Sequence, residues 1–293
     1  MGSLKWTRVL LLAACTAIQG RAYSQAAGCS LRSLNELLGC MQAQKQDDFA
    51  YSRLFEDGFD VLVFGETHFC NAHREELTAN MAEFRRTGIT HLALEAYPVS
   101  KQDRLSAYKL GMAGLREELK EIQHSTLAAD PESYAQLMDA AVENGISLVG
   151  IDIDYKGIDL SGPDRKKIEA LHQASREELW TRTLAELLKQ EPEAKVLLLV
   201  GQWHISPEND NEPVRLQTRL SKAGLRTRAI SLEGGEMFID SIVTECARAL
   251  GLGSRRFLLP TDTRDPSVGG DYHLHLPQDT RHILLRRDPP PVR

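Results

Sequence analysis

The segment Asp60-Val61-Leu62-Val63-Phe64-Gly65-Glu66-Thr67-His68 has the pattern of a buried β-strand that ends in a glycine, a carboxylate and an imidazole. A second segment, Lys195-Val196-Leu197-Leu198-Leu199-Val200-Gly201-Gln202-Trp203-His204, repeats this design and also ends in Gly-x-x-His. Continuous runs of Val and Leu are typical of strands covered on both faces. We expect each glycine to let the chain turn sharply at the strand end. The polar residues should then lie just past the carboxyl edge of the sheet, where open α/β sheets bind ligands.

Strand-like and helix-like segments alternate along the rest of the chain. This alternation predicts an α/β fold with a largely parallel central sheet flanked by helices. Strands are predicted at 61–64, 91–95, 146–151, 196–200 and 227–232, with a last edge strand at 282–285. Helices are predicted at 30–42, 74–86, 134–144, 165–190, 214–223 and 238–250. Residues 101–132 form either a helical excursion over the C-terminal edge of the sheet or a solvated helical hairpin.

The composition is that of an ordinary globular protein. Of 293 residues, 42% are hydrophobic and 26% are charged, and the net charge is -6. No linker-like tract or internal repeat interrupts the chain, so residues 25–287 are expected to form a single α/β domain. An acidic chain without a basic stripe is a poor candidate for binding nucleic acid.

The N-terminus has the pattern of an export signal. Lys5 and Arg8 precede an apolar run at 9–18, and Ala22-Tyr23-Ser24 is a candidate cleavage site, so residues 1–24 are predicted to be a signal peptide. Leu12-Ala13-Ala14-Cys15 also resembles a bacterial lipoprotein box, in which Cys15 would carry a membrane-anchoring lipid. The remaining alternative is a buried N-terminal helix. We therefore expect a periplasmic, secreted or lipid-anchored protein, with a disordered tail at 288–293.

The cysteines outside this segment suggest a single disulfide bond. Cys29 and Cys40 bracket a short helical segment and can pair after export. Cys70 and Cys246 have the character of small core residues. A weaker alternative makes Cys70 a nucleophile beside His68.

Polar residues follow every predicted strand: Glu66, His68, Glu95, Asp152, Asp154, His204, Glu233 and Glu236. Because the carboxyl ends of parallel strands share one edge, two imidazoles and several carboxylates should converge there. Such a set can bind a divalent metal ion. It can also perform general acid–base catalysis without a metal, or hold a ligand without reaction.

Each candidate also has a structural interpretation. Glu66 could cap the following helix, and His68 could be a buried histidine with satisfied hydrogen bonds. Asp152 and Asp154 could bind either substrate or loop backbone, and His73 and Arg74 could contact substrate or simply begin a helix. Glu233 and Glu236 are expected to be ordinary loop acids. The spacing of His273, His275 and His282 resembles an exposed edge more than a set of ligands.

Gly65-Glu66-Thr67-His68, the strand-ending Glu95 and Gly201-Gln202-Trp203-His204 together resemble the Tiki superfamily. The resemblance covers roughly residues 58–235 and rests on short motifs in the right order. The superfamily joins the Tiki and TraB proteins, the erythromycin esterases and the ChaN-like haem-binding lipoproteins. It implies an α/β core, in agreement with the pattern of strands and helices.

The branches of the superfamily imply different functions. Tiki-like members resemble metal-dependent peptidases, which here implies His68, Glu95 and His204 as metal ligands and Glu66 as acid or base. Erythromycin esterases hydrolyse a lactone with a similar Glu/His set, but their first motif places the histidine one residue later. ChaN-like proteins bind haem, and Tyr97 and Tyr155 are positional candidates for a haem-ligating tyrosine.

The leading hypothesis is an exported hydrolase of an ester, a lactone or a peptide, in which a metal ion or a glutamate activates water. Its catalytic residues would be Glu66, His68, Glu95 and His204, with His68, Glu95 and His204 also as ligands of a divalent metal. Its substrate-binding residues would be His73, Arg74, Asp152 and Asp154. The alternative is a haem-binding lipoprotein without enzymatic activity. The expected partner is a small-molecule or peptide substrate, or haem.

Overall fold

The computed structural model describes residues 29, 34–55, 58–108, 111–127, 130–154, 165–205, 216–235, 241–261 and 270–278. Several sequence predictions lie outside these residues and stay predictions. They are the signal peptide at 1–24 with Cys15, the candidate ligands Tyr155 and Glu236, His282 with its strand at 282–285, and the tail at 288–293.

Seven strands form one sheet, and all five strands predicted within the described residues are present. The strands are β1 Val61–Glu66, β2 His91–Pro98, β3 Ser147–Asp152, β4 Val196–Gly201, β5 Thr227–Gly234, β6 Phe257–Pro260 and β7 Tyr272–Leu276. Their order across the sheet is β3-β2-β4-β1-β5-β7-β6. All neighbouring pairs are parallel except β6 and β7, which are antiparallel. The predicted α/β fold with a largely parallel sheet is confirmed.

Nine α-helices flank the sheet in the described part of the chain. They are α1 Leu34–Gln44, α2 Asn71–Ala79, α3 Met81–Arg86, α4 Gln102–Ala107, α5 Ala113–Leu127, α6 Pro131–Glu143, α7 Arg165–Gln190, α8 Leu216–Lys222 and α9 Ile242–Ala249. The excursion predicted at 101–132 contains α4, α5 and the start of α6. It is anchored in the core by Leu105, Tyr108 and Leu119, which are all buried. None of the described helices is both long and apolar enough to cross a bilayer.

Alternating residues of each central strand serve two separate cores. In β1, Leu62 and Phe64 face the core that α2, α3 and α6 cover, whereas Val61 and Val63 face the core beneath α7 and α8. Both faces are dry, because all six residues of β1 are buried. The sheet is therefore a rigid support, and polar side chains are concentrated at its carboxyl edge.

The structure corrects the interpretation of His273 and His275 as an exposed edge. Both lie in β7, between β5 and the edge strand β6, and they are 5% and 0% exposed. Leu274 and Leu276 alternate with them and enter the opposite core. The alternation typical of a strand was present in the sequence, but its polar face is buried instead of solvated.

A disulfide bond connects Cys29 to Cys40, a pairing that the sequence left open, with 5.6 Å between their Cα atoms. Cys29 also forms a β-bridge to Thr261 at the end of β6, and its neighbourhood is a third hydrophobic cluster that includes Leu37 and Phe257. The bond therefore fastens α1 to the β6 side of the sheet. Cys70 and Cys246 are buried thiols outside this disulfide bond.

Candidate functional site

Four of the predicted site residues converge at the carboxyl edge of the three adjacent strands β2, β4 and β1. Glu66 ends β1, Glu95 lies near the end of β2, and the turns after β1 and β4 carry His68 and His204. His68 is the member that solvent reaches, because its side chain is 24% exposed, against 1% for Glu66, 4% for Glu95 and 5% for His204. The parallel topology thus builds one cluster from three separate segments.

The two motif glycines serve a different purpose from the sharp turn that the sequence suggested. Gly65 and Gly201 lie inside β1 and β4, and neither has a positive φ. A Cβ atom at Gly65 would lie 2.3 Å from Cδ1 of Ile205, and one at Gly201 would lie 2.8 Å from Nε2 of His68. Each glycine is needed because another residue of the site packs directly against its Cα.

Glu66 is a buried carboxylate surrounded by donors. Its Oε2 accepts a hydrogen bond of 2.6 Å from Nη1 of Arg74, and its Oε1 accepts one from the hydroxyl of Tyr134 and one of 3.0 Å from Nδ1 of His68. Burial alone would raise the pKa of Glu66. The charge of Arg74 and the bonds from His68 and Tyr134 outweigh it and lower that pKa to about 2. Glu66 is therefore ionised at any physiological pH.

His68 is fixed in one tautomer by this carboxylate. Because the ionised Glu66 can only accept, Nδ1 of His68 carries the proton, and Nε2 points to Glu95, whose Oε2 lies 3.7 Å away. Burial would lower the pKa of His68, but the charges of Glu95 and Glu66 raise it above its ordinary value. An imidazole oriented in this way by a carboxylate can accept and return a proton at Nε2.

Glu95 is the centre of the cluster. Its Oε2 accepts a bond of 2.6 Å from the backbone N–H of Gly201, and its Oε1 accepts one of 2.6 Å from Nη2 of Arg176. Nε2 of His204 lies 3.3 Å from the same Oε1. Burial alone would raise the pKa of Glu95, but His204, His68 and Arg176 hold it well below the usual range. Glu95 therefore stays charged and ties both imidazoles to one carboxylate.

His204 belongs to a second carboxylate–imidazole pair. Its Nδ1 bonds to Oε1 of Glu177 at 2.7 Å, and Oε2 of Glu177 lies 3.2 Å from Nε of Arg219. Burial would lower the pKa of His204, but Glu95 and Glu177 raise it to about 9. At neutral pH, His204 is thus a buried imidazolium between two carboxylates.

The predicted substrate-binding aspartates are placed differently from each other. Asp152 is buried and accepts bonds of 2.8 and 2.9 Å from Arg176 and one of 3.2 Å from Nε1 of Trp180. It therefore orients the guanidinium that holds Glu95. Asp154 is exposed and accepts a bond of 3.4 Å from the hydroxyl of Ser100.

His73 and Arg74 lie in the first turn of α2 and point inward. Both are buried, and Nδ1 of His73 accepts a bond of 3.0 Å from the backbone N–H of Thr67, which fixes the turn that carries His68. Arg74 also donates to Ser133 and Asn71, and its guanidinium lies over the ring of Tyr134. The structure gives both side chains contacts that support Glu66 and His68.

The expectation that Glu233 is an ordinary loop acid is wrong. Glu233 lies within β5 and is 3% exposed. Its Oε1 accepts bonds from Nδ1 of His273 at 2.8 Å, from the hydroxyl of Ser231 at 3.0 Å and from Nε2 of Gln202 at 2.9 Å. Through Gln202, this buried group anchors the turn that carries His204.

Sequence reasoning missed Tyr134, Arg176 and Glu177. Tyr134 belongs to α6, and the other two belong to the long helix α7. A signal for Arg176 was present, since Arg176, Trp180 and Leu184 recur at the spacing of one helix face and are all buried. No local pattern shows which strand end that face will meet.

The donor set at Glu95 does not fit a divalent metal ion. Arg176 already places a positive charge 2.6 Å from Oε1 of Glu95, and Nε2 of His204 lies 3.3 Å from the same oxygen. In the described part of the chain, no group of three or more His, Cys, Asp or Glu side chains is arranged to hold a metal ion. The predicted ligand set of His68, Glu95 and His204 therefore meets as two imidazoles paired with one carboxylate, at 3.7 and 3.3 Å.

Two exposed aromatic side chains border the cluster. Phe69 directly follows His68 and is 58% exposed, and Trp203 directly precedes His204 and is 75% exposed. Their turns are in contact, because Gly201 packs against the ring of His68. Exposed large apolar side chains at a polar cluster indicate a surface that contacts an apolar ligand. An imidazole with exposed aromatic side chains nearby is the type of residue set that can hold haem. Tyr97 does not fit as a haem ligand, because it is fully buried.

The chain matches a family profile and several solved structures. The family, described as haem-binding uptake, Tiki superfamily, ChaN, matches residues 57–199. No protein of curated function matches the chain significantly in sequence.

Three solved structures are similar to the chain, and the two with TM-scores above 0.5 agree with the fold. The type III effector HopBA1 is 14% identical with a TM-score of 0.52, over 75% of this chain and 88% of the effector. An erythromycin esterase mutant, EreC in its open conformation, is 13% identical with a TM-score of 0.51, over 84% of this chain and 94% of the esterase. ChaN of Campylobacter jejuni, solved with cofacial haem, is 15% identical with a TM-score of 0.43, over 79% of this chain and 95% of its own. Residues 57–199 therefore match a family of the Tiki superfamily, and the order of the motifs and the parallel sheet agree with this match.

Proposed function

We propose that the protein is a hydrolase that uses Glu66 and His68 for general acid–base catalysis on an ester, a lactone or an amide. The observation that carries the proposal is the bond between ionised Glu66 and Nδ1 of His68, which leaves Nε2 as the basic nitrogen of the cluster residue that solvent reaches. A carboxylate that fixes the tautomer of a solvent-reached imidazole is the arrangement by which hydrolases activate a nucleophile.

The reaction would follow from this geometry. Nε2 of His68 takes a proton from a water molecule while the water oxygen bonds to the substrate carbonyl carbon. The bond to the leaving group then breaks, and the protonated Nε2 returns the proton to the leaving oxygen or nitrogen. Glu66 stabilises the imidazolium formed in between. Nε2 of His204 lies 3.3 Å from Oε1 of Glu95, and its positive charge balances that carboxylate. The negative charge of Glu95 therefore does not repel the developing oxyanion.

The test is turnover of a panel of p-nitrophenyl esters, a fluorogenic lactone and peptide anilides. We expect His68→Ala to lose at least a hundredfold in kcat/KM and Glu66→Gln to lose activity similarly, because general acid–base catalysis contributes about 10²–10⁴-fold. His91→Ala is the matched control, since His91 is also a buried imidazole but begins β2 at the other end of the sheet. Full turnover in a folded His68→Ala protein would exclude the proposal.

The second candidate function is binding of haem. It is supported by the match to a family described as haem-binding uptake and by the exposed Phe69 and Trp203, which adjoin His68 and His204 in the chain. His68 would be the iron ligand, and the two aromatic side chains would cover the porphyrin. Haem supplies an iron centre and a flat apolar surface, and the chain supplies the imidazole and the aromatic contacts.

Titration with haemin distinguishes the two candidates. Haem binding predicts a Soret band that saturates at a fixed stoichiometry, shifts in His68→Ala and weakens in Phe69→Ala/Trp203→Ala. Haem binding fails if the absorbance only rises in proportion to added haemin. The hydrolase is judged separately on turnover by haem-free protein.

We further propose that the protein is exported. The disulfide between Cys29 and Cys40 supports this, because disulfide bonds persist in oxidising compartments. Mass spectrometry of the protein from its native cell gives the test. A chain that begins at Gln25 indicates signal cleavage, a diacylglycerol-modified Cys15 indicates membrane anchoring, and an intact Met1 in the cytoplasm would contradict export.

A further inference from the structure

A groove of about 650 Å³ lies beside β3, which is the edge strand of the sheet. One wall is β3 itself from Ser147 to Gly150, and the other walls are the start of α4 and the last turns of α7. None of the site residues Glu66, His68, Glu95 and His204 lines it. The volume is within the range of binding pockets for ligands. This groove, which we call the β3 groove, is separate from the catalytic cluster.

Hydrogen bonds to Gln102 show which peptide groups of β3 face the groove. Nε2 of Gln102 donates to the carbonyl of Leu148 at 2.9 Å, and its Oε1 accepts from the N–H of Gly150 at 3.0 Å. Ser147 instead donates inward, to the carbonyl of Thr90. Because the N–H and C=O of one strand residue point to the same side, the N–H of Leu148 also faces the groove. The side-chain amide of Gln102 therefore occupies the place of one peptide group of an added strand.

The charge of the β3 groove is negative. Glu186 and Glu191 are exposed in its lining, which contains no Lys or Arg. The lining also contains His91, whose Nε2 lies 3.7 Å from Oε2 of Glu191. Burial lowers the pKa of His91, so this imidazole is neutral at pH 7 and does not cancel the glutamates. A complementary ligand therefore carries positive side chains.

We propose that the β3 groove binds an extended peptide rich in Lys or Arg by strand addition to β3. Leu148 and Gly150 supply the backbone hydrogen bonds. The side chain of Gln102 moves away and frees the carbonyl of Leu148 and the N–H of Gly150 for the peptide. Glu186 and Glu191 contact the basic side chains. An exposed edge strand is a template for such pairing, in which main-chain bonds give affinity and side chains give specificity.

The test is fluorescence anisotropy with a labelled heptapeptide of alternating valine and lysine, capped at both ends. We expect saturable binding that weakens at least tenfold in Glu186→Lys/Glu191→Lys. The matched control is Glu178→Lys/Glu193→Lys, which reverses two exposed glutamates outside the groove, one of them also on α7, with the same change in net charge. This control should bind as the wild type does.

Two further measurements separate strand addition from simple attraction of charge. The same peptide with every second amide N-methylated keeps its charge but loses its donors, and we expect it to bind at least tenfold more weakly. Amide hydrogen exchange at Leu148 should slow when the unmodified peptide is bound. Absence of binding, equal loss in the control variant, or full binding of the N-methylated peptide would each overturn the proposal.

Discussion

At the scale of single residues, Glu66 shows how a carboxylate stays ionised without access to water. Arg74, Tyr134 and His68 direct three donors at its two oxygens. Since an isolated buried charge costs several kcal/mol, these bonds are a condition for folding as well as for the proposed catalysis. The sequence could show that Glu66 was poised for a role, but not that its partners were a helix-start arginine and a distant tyrosine.

Arg74→Leu should therefore be strongly destabilising. Removing one partner of a buried pair leaves the other unpaired, and the expected loss is about 3–5 kcal/mol in the free energy of unfolding. Urea denaturation monitored by circular dichroism gives the value. The double variant Glu66→Gln/Arg74→Leu removes both charges and should recover part of this loss. A double variant less stable than Arg74→Leu would mean that the ion pair is not the cause.

Glu95→Gln should move the acidic limb of the pH–activity profile to lower pH. Glu95 and Glu66 raise the pKa of His68, so in the wild type the base becomes active only as pH rises above the ordinary histidine value of about 6.5. Loss of the Glu95 charge lowers that pKa, and the imidazole is then free at a lower pH. Measurement of kcat/KM from pH 5 to 9 checks this, with a shift to higher pH as the contrary result.

At the scale of elements, β1 and β4 were predictable because a buried parallel strand requires an unbroken apolar run. Both are buried at every position. The strands β6 and β7 were not predicted, because β6 is short and β7 alternates polar with apolar residues, so neither has a long unbroken apolar run. In β7, His273 faces a buried glutamate of β5, so its environment is set by a strand some forty residues earlier.

Gly201→Ala tests the close contact between β4 and the turn after β1. The new Cβ would lie 2.8 Å from Nε2 of His68 and 3.5 Å from Oε2 of Glu95, so His68 must move. We expect kcat to fall about a hundredfold, as a displacement of about 1 Å can cause, while the protein stays folded. Gly114→Ala is the control, because its Cβ would meet no atom within 4 Å. An unchanged kcat in Gly201→Ala would show that His68 takes no part in the reaction.

At the scale of the whole molecule, the topology brings the site together. Strand ends supply Glu66 and Glu95, and these were foreseen because parallel strands share a carboxyl edge. Arg176 and Glu177 come from α7, whose register against the sheet depends on the crossover from β3 to β4. A sequence shows the apolar face of a helix but not the element against which it packs, so the contacts of Arg176 and Glu177 with the cluster emerged only in three dimensions.

Cys29→Ser/Cys40→Ser should lower the free energy of unfolding by about 3 kcal/mol. The bond closes a loop with a sequence separation of 11, and the chain-entropy relation gives a cost of this size for so short a loop. Thermal unfolding of the wild type and the variant, each with and without reductant, measures it. Reductant should affect only the wild type. Equal melting temperatures for the two oxidised proteins would show that α1 is held by its apolar contacts alone.

The contact between Trp180 and His204 has an optical consequence. The two rings lie 4.5 Å apart between centroids, in a region that excludes water. A protonated imidazole quenches indole fluorescence by accepting an electron from the excited state, and a neutral one does so far less. Because the pKa of His204 is about 9, the fluorescence of Trp180 should be quenched at neutral pH and should increase as the pH rises above 9. In a Trp6→Phe/Trp203→Phe background, Trp180 is the remaining tryptophan, and its emission reports the charge of His204 directly.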